Sequence, residues 1–139
     1  MIGKEFLNSA RAKLALDFAG MPLVLEACLR IIDHIESQPV DQLKHLTFGM
    51  LSTVSKASST DIAQKAVSYL AGDVANVLRM QFEFIDNDDI YQIESAELSE
   101  AIRSSEFFHP HSGEIVDNFQ KHIYIYFVPN KISASEVNK

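Results

Sequence analysis

The chain has no tryptophan and a single cysteine, with only five glycines and four prolines among 139 residues. One cysteine excludes an internal disulfide, so a reducing cytoplasm is the expected compartment. That residue, Cys28, lies among Ala27, Leu29 and Ile31, the setting of a buried inert thiol rather than a nucleophile. No apolar run approaches the roughly eighteen residues that a membrane-spanning helix needs, so no membrane partner is expected. The N-terminus, MIGKEFLNSARAKL, mixes charges into its apolar positions and shows no signal-peptide core. No P-loop, GxSxG, GxGxxG or Cys/His nucleophile pattern is present, so neither an enzyme nor a cofactor is expected.

Positive charge is scarce in the C-terminal half. Residues 1–79 balance eight basic side chains against eight acidic ones, whereas residues 80–139 carry four against eleven. The net charge of −7 therefore arises entirely beyond residue 79, opposite in sign to what a nucleic-acid surface presents. What is abundant is apolar: 47 % hydrophobic content suits one folded domain over 1–130, with a polar tail at 131–139.

Periodicity places the elements. Leu7, Ala10, Leu14 and Phe18 form one stripe of a helix over 3–18, ended by Gly20. Pro22 opens a helix over 22–37 whose apolar face (Val24, Cys28, Ile31, Ile32, Ile35) is widened by Leu25 and Leu29. Such a helix is central to a core, or alternatively part of a dimer interface. Glu26 and Arg30 on its polar side are spaced for an i,i+4 pair. After the break at Gln38-Pro39, residues 40–46 form a loose helical turn or a short strand. Thr47 caps a helix over 48–55, Lys56-Ala57-Ser58 turns, and Ser59 or Thr60 caps a helix over 59–72 with Gly72 as its stop.

From Met80 the period becomes two. Phe82 and Phe84, the Asp86–Asp89 turn, then Ile90, Tyr91 and Ile93 predict a hairpin over 80–94. A short helix over 95–104 follows, capped by Ser95, with Leu98 and Ile102 inward. Ile123–Val128 is the strongest strand signal and a third strand for the hairpin. The class expected is α+β: a helical N-terminal half and a small antiparallel sheet.

Three helices (about 22–37, 48–55 and 59–72) followed by a hairpin at 80–94 resemble the bacterial winged helix-turn-helix superfamily, over about half the chain. The resemblance implies a recognition-type helix at 59–72 and a wing tip at Asp86–Asp89. Many members regulate transcription; others use the fold to dock on proteins. The DNA alternative would be a dimeric regulator using Lys56, Gln64, Lys65, Ser68 and Arg79, at most three cations among them. The wing tip, with Asp86, Asp88 and Asp89, would repel a polyanion. A non-enzymatic accessory or adaptor role through protein–protein contacts or self-association is therefore the leading expectation. Ile123–Val128 is apolar on both faces, so Phe107, Phe108, Tyr124 and Tyr126 are the expected interface residues, unless helix 3–18 covers the second face.

His109, His111 and His122, near Glu114 and Asp117, are the one group resembling metal ligands. A polar turn with histidines capping backbone groups or facing solvent is the preferred reading, and no metal is expected. The acid pairs Glu97/Glu100 and Asp88/Asp89 read as a solvated helix face and a turn tip rather than as acid–base machinery.

Overall fold

Helices dominate the first half because apolar residues recur there every three or four positions and polar caps mark the ends. The computed structural model describes residues 3–130; the predicted polar tail at 131–139 lies outside the described residues. In chain order the elements are α1 (Lys4–Asp17), α2 (Pro22–Ser37), α3 (Phe48–Ser55), α4 (Thr60–Ala71), β1 (Leu78–Asp86), β2 (Asp89–Ile93), α5 (Ser95–Ser104) and β3 (Ile123–Pro129). The class is α+β, five helices with one three-stranded antiparallel sheet in the order β2-β1-β3. The third strand predicted for the hairpin is thus β3, beside β1.

Packing divides the chain into two compact units. One extends as far as Met80 and resumes at Phe127; the other is Gln81–Tyr126.

In the first unit α2 is the centre, packing on α1, α3 and α4. Its Val24, Ala27, Cys28, Ile31, Ile32 and Ile35 are buried, together with Leu7 and Leu14 of α1 and Leu70 of α4. This is the core helix the sequence implies. Glu26 and Arg30 form the expected i,i+4 pair. Arg11 of α1 bridges to α2 through Asp33 (2.8 Å) and Glu36, which binds the outer edges of the two helices together. Between α2 and α3 residues 40–46 take the helical-turn alternative, with a single isolated bridge in place of the strand. Val40–Gln42 make a 3-10 turn, and Leu46 pairs antiparallel with Phe127.

Helix ends follow local chemistry. The Thr47 hydroxyl accepts from the Met50 N–H (3.1 Å) and the Ser59 hydroxyl from the Ile62 N–H (3.3 Å), each satisfying an orphan donor of the first turn. Lys56 ends α3 in the left-handed region, φ 53°, and so closes the tight turn into α4. Gly72 ends α4, as its place as the helix stop implies. Its φ is −81°, and a Cβ there would meet the Ser68 carbonyl at 3.2 Å.

In the second unit β1 and β2 pair antiparallel with Phe84 opposite Tyr91 and Asp86 opposite Asp89. The connecting residue Asn87 takes φ 54°, a conformation asparagine tolerates. The core here is aromatic: Phe84, Phe107 and Phe119 are buried with Ile93, Leu98 and Ala101. Phe84 lies 4.9 Å from Phe107 between ring centroids, and Phe107 stacks on Phe119 at 5.3 Å. In α5 the inward pair is Leu98 and Ala101, not Leu98 and Ile102; Ile102 is exposed. The helix is capped at Glu94 with no side-chain bond, so Ser95 does not serve as its cap.

Candidate functional site

Two surfaces carry the residues that the sequence singles out. The first is the outer face of α4 and its approaches. Burying Ala63, Ala66, Val67 and Leu70 leaves the opposite side of the helix to solvent, so Gln64, Lys65 and Ser68 are exposed. Lys56 in the turn before α4 and Arg79 at the start of β1 are exposed as well. None of Lys56, Lys65 and Arg79 makes a salt bridge among the described residues. Gln64 and Ser68 border a groove of about 230 Å³ with Phe48, Val67, Met80 and Phe127. Lys65 borders another, of about 250 Å³, formed by Met21, Pro22, Leu23, Val24 and Ile62. Behind α4, Tyr69 packs edge-on against Phe18 (4.7 Å) and donates its phenol hydrogen to Asp17. Burial and that bond to Asp17 push the phenol up to about 12. Burial likewise pushes the Cys28 thiol up to about 12, which keeps it protonated and unreactive.

The second surface belongs to the unit Gln81–Tyr126. Its ten acidic residues face only two basic ones, Arg103 and Lys121, a net charge of −8. The loop after α5 is a tight hairpin: Phe108 pairs antiparallel with Ile115, and the Val116 N–H donates to the Phe107 carbonyl at 2.9 Å. Gly113 closes the turn at φ 76°, a region few side chains permit. His109 organises it. Its Nδ1 accepts from the backbone N–H groups of His111 (3.0 Å) and Ser112 (3.2 Å), so the neutral ring carries its proton on Nε2. Nε2 then donates to Asp86 Oδ2 at 3.0 Å. The ring also meets Phe84 and Tyr91 edge-on at 5.5 and 5.2 Å. Burial, followed by Asp89 and Asp86, raises the Tyr91 phenol above its usual value.

His111 and His122 are exposed, and among the described residues no three His, Cys, Asp or Glu side chains come together to hold a metal. His109 is a turn-capping residue in this arrangement.

The four aromatics expected at an interface divide in two. Phe108 and Tyr124 are exposed, 55 % and 50 %. Phe107 and Tyr126 are buried within the chain, which corrects their expected placement at a surface. Phe107 fills the space between Phe84 and Phe119, and the Tyr126 hydroxyl accepts from Gln92 Nε2 at 3.1 Å. On β3 it is Ile125 that joins Tyr124 outside.

Sequence reasoning missed a cleft of about 650 Å³ between α5 and the loop that follows it. Glu97, Glu100 and Glu106 line it over a floor of Ile93, Ala101 and Phe107, and Phe108 and Pro110 flank it. The spacing 97, 100, 101, 104 on one helical face was a usable signal for the α5 wall. Glu106 and Phe108 join that wall only through the chain reversal at Ser105, φ 63°.

Compared with protein-family models, with curated proteins and with solved structures, the chain has no match. Among the described residues no helix is long and apolar enough to cross a membrane.

Proposed function

We propose that the chain is a non-enzymatic accessory or adaptor protein of winged-helix type, acting in the cytoplasm through protein–protein contacts made by the unit Gln81–Tyr126. One observation carries this reading. Within that short unit, six large apolar side chains (Ile90, Ile102, Phe108, Ile115, Tyr124 and Ile125) stand exposed on a surface of net charge −8. Scattered exposed apolar residues are ordinary, but aromatics and branched aliphatics amid charge of one sign suit a complementary protein face. The decisive comparison is affinity purification of the intact protein beside a Phe108→Ser/Tyr124→Ser variant. A co-purifying protein retained by the wild type and lost by the variant is expected. Equal recovery by both would overturn the assignment to this surface.

Dimeric DNA binding is the second reading, favoured by the exposure of all five of Lys56, Gln64, Lys65, Ser68 and Arg79. Three phosphate contacts per chain, six for the dimer, give a salt slope of roughly −5, or about a 10³-fold loss of affinity between 50 and 200 mM salt. A gel shift with nonspecific duplex at low salt tests it. A chain that shifts duplex and retains no protein partner would replace the adaptor reading with this one.

A further inference from the structure

We propose that the cleft between α5 and the segment 106–110 receives a basic, partly apolar segment of a partner protein, an inference that rests on the docking reading above. The floor of Ile93, Ala101 and Phe107 is apolar and already closed off from below. The carboxylates around it are unequal. Glu100 is paired with Arg103, whereas Glu97 and Glu106 have no cationic partner among the described residues. A concave site with an apolar floor concentrates the field of the two unpaired carboxylates, so an entering ammonium or guanidinium gains more here than on an open surface. Phe108, half exposed at the edge, is an aromatic ring within the same cleft, the kind of side chain that attracts such a cation.

The volume, about 650 Å³, is that of a site for side chains rather than for a bare ion, and no three metal-ligating groups converge in it. A polyanion is repelled by a unit of charge −8, and so is the same unit of a second copy. An extended segment alternating basic and apolar side chains answers both features: its apolar side chains cover the floor while its cations meet Glu97 and Glu106.

The test uses the full chain and a short fluorescein-labelled peptide alternating lysine and leucine, with a glutamate–leucine peptide as its charge reversal. The lysine peptide is expected to bind in a salt-sensitive manner, with amide shifts concentrated at Gln92, Ala101 and Phe108. Glu97→Gln/Glu106→Gln is expected to weaken it by about tenfold or more, a loss of about 1.4 kcal/mol per tenfold. Asp88→Asn/Asp89→Asn removes the same charge at the hairpin turn and is expected to leave affinity within about twofold, well under 1 kcal/mol. Equal weakening by both double variants would reduce the effect to overall charge and overturn the proposal. Binding with a footprint on Tyr124 and Ile125 would overturn the cleft but keep the docking reading. Spermidine alone binding as tightly with the cleft footprint would make this a small-cation site, again against the proposal. Concentration-dependent self-association abolished by Glu97→Gln/Glu106→Gln would assign the cleft to a second copy. No binding by any peptide, with no loss of partner in the Phe108→Ser/Tyr124→Ser purification, would remove the docking reading as well.

Discussion

The two units of this chain are built from different materials. The first buries aliphatic side chains around one helix, α2, and beyond Gln81–Tyr126 the sequence is nearly neutral, ten basic residues against nine acidic. The core cluster of the second holds six residues, three of them phenylalanines, beneath a surface of charge −8. Stability in the first comes from many interlocking apolar contacts, so no single side chain dominates. In the second, few residues form the interior, and like charges repel around it. A unit built that way keeps its shape through a few large rings. Its surface is one that an oppositely charged partner, as proposed, would stabilise.

The sharpest way to break this comparison is Phe84→Ala. Deleting a fully buried ring at the meeting point of Phe107, Tyr91 and His109 is expected to cost about 3–5 kcal/mol. Hydrogen exchange should show the loss of protection in 81–126 while the amides of α2 keep theirs. Equal loss in both would mean that the two units open as one.

The alkaline range separates the units next. The Cys28 thiol, raised by burial from 9.0 to about 12, contributes stability fully present below its unfolded value. That contribution is lost as pH climbs from about 9 towards 12, because only the unfolded chain then ionises the thiol. Urea midpoints across this range should fall more steeply for the wild type than for Cys28→Ala. Parallel curves would show that the thiol is not desolvated as placed.

Smaller effects probe the caps of the first unit. Ser59→Ala removes the acceptor for the Ile62 N–H and is expected to cost about 1 kcal/mol in chemical denaturation. Smallest is Lys56→Gly, expected to stabilise by about 0.5–1 kcal/mol, since glycine holds φ 53° without the strain lysine meets. Destabilisation by Lys56→Gly would imply that the lysine side chain makes a contact worth more than that strain.

Much of the first unit was legible residue by residue. Pro22 at the start of α2, Thr47 and Ser59 at their caps, the Glu26–Arg30 pair and the turn at Lys56 all follow from interactions within one or two helical turns. The hairpin was legible too, because Phe82 and Phe84 alternate and Asn87 permits the turn. The candidate cleft was half legible. Glu97 and Glu100 share a helical face by spacing alone, but the sequence reading gave that face to solvent. Ile102 and Ala101 show why: both are apolar at usable spacing from Leu98, and the ring of Phe107 and its neighbours decides which one is buried. Tyr126 was misplaced because apolar side chains on both faces of a strand leave its inner face undefined, and Phe107 because its packing on Phe84 and Phe119 joins distant segments.

By itself, then, the sequence determined the main helices and strands, the caps of α3 and α4, the α+β class and the concentration of negative charge beyond residue 79. These depend on periodicity, backbone preference and composition, all of which act locally or simply add. Only the tertiary structure decided that the chain forms two cores and that Phe108 and Tyr124 stand outside while Phe107 and Tyr126 do not. It alone brought Glu106 to the α5 carboxylates and His109 to Asp86. Those are contacts between distant or oppositely directed segments, and they exist only once burying apolar surface has chosen which faces meet.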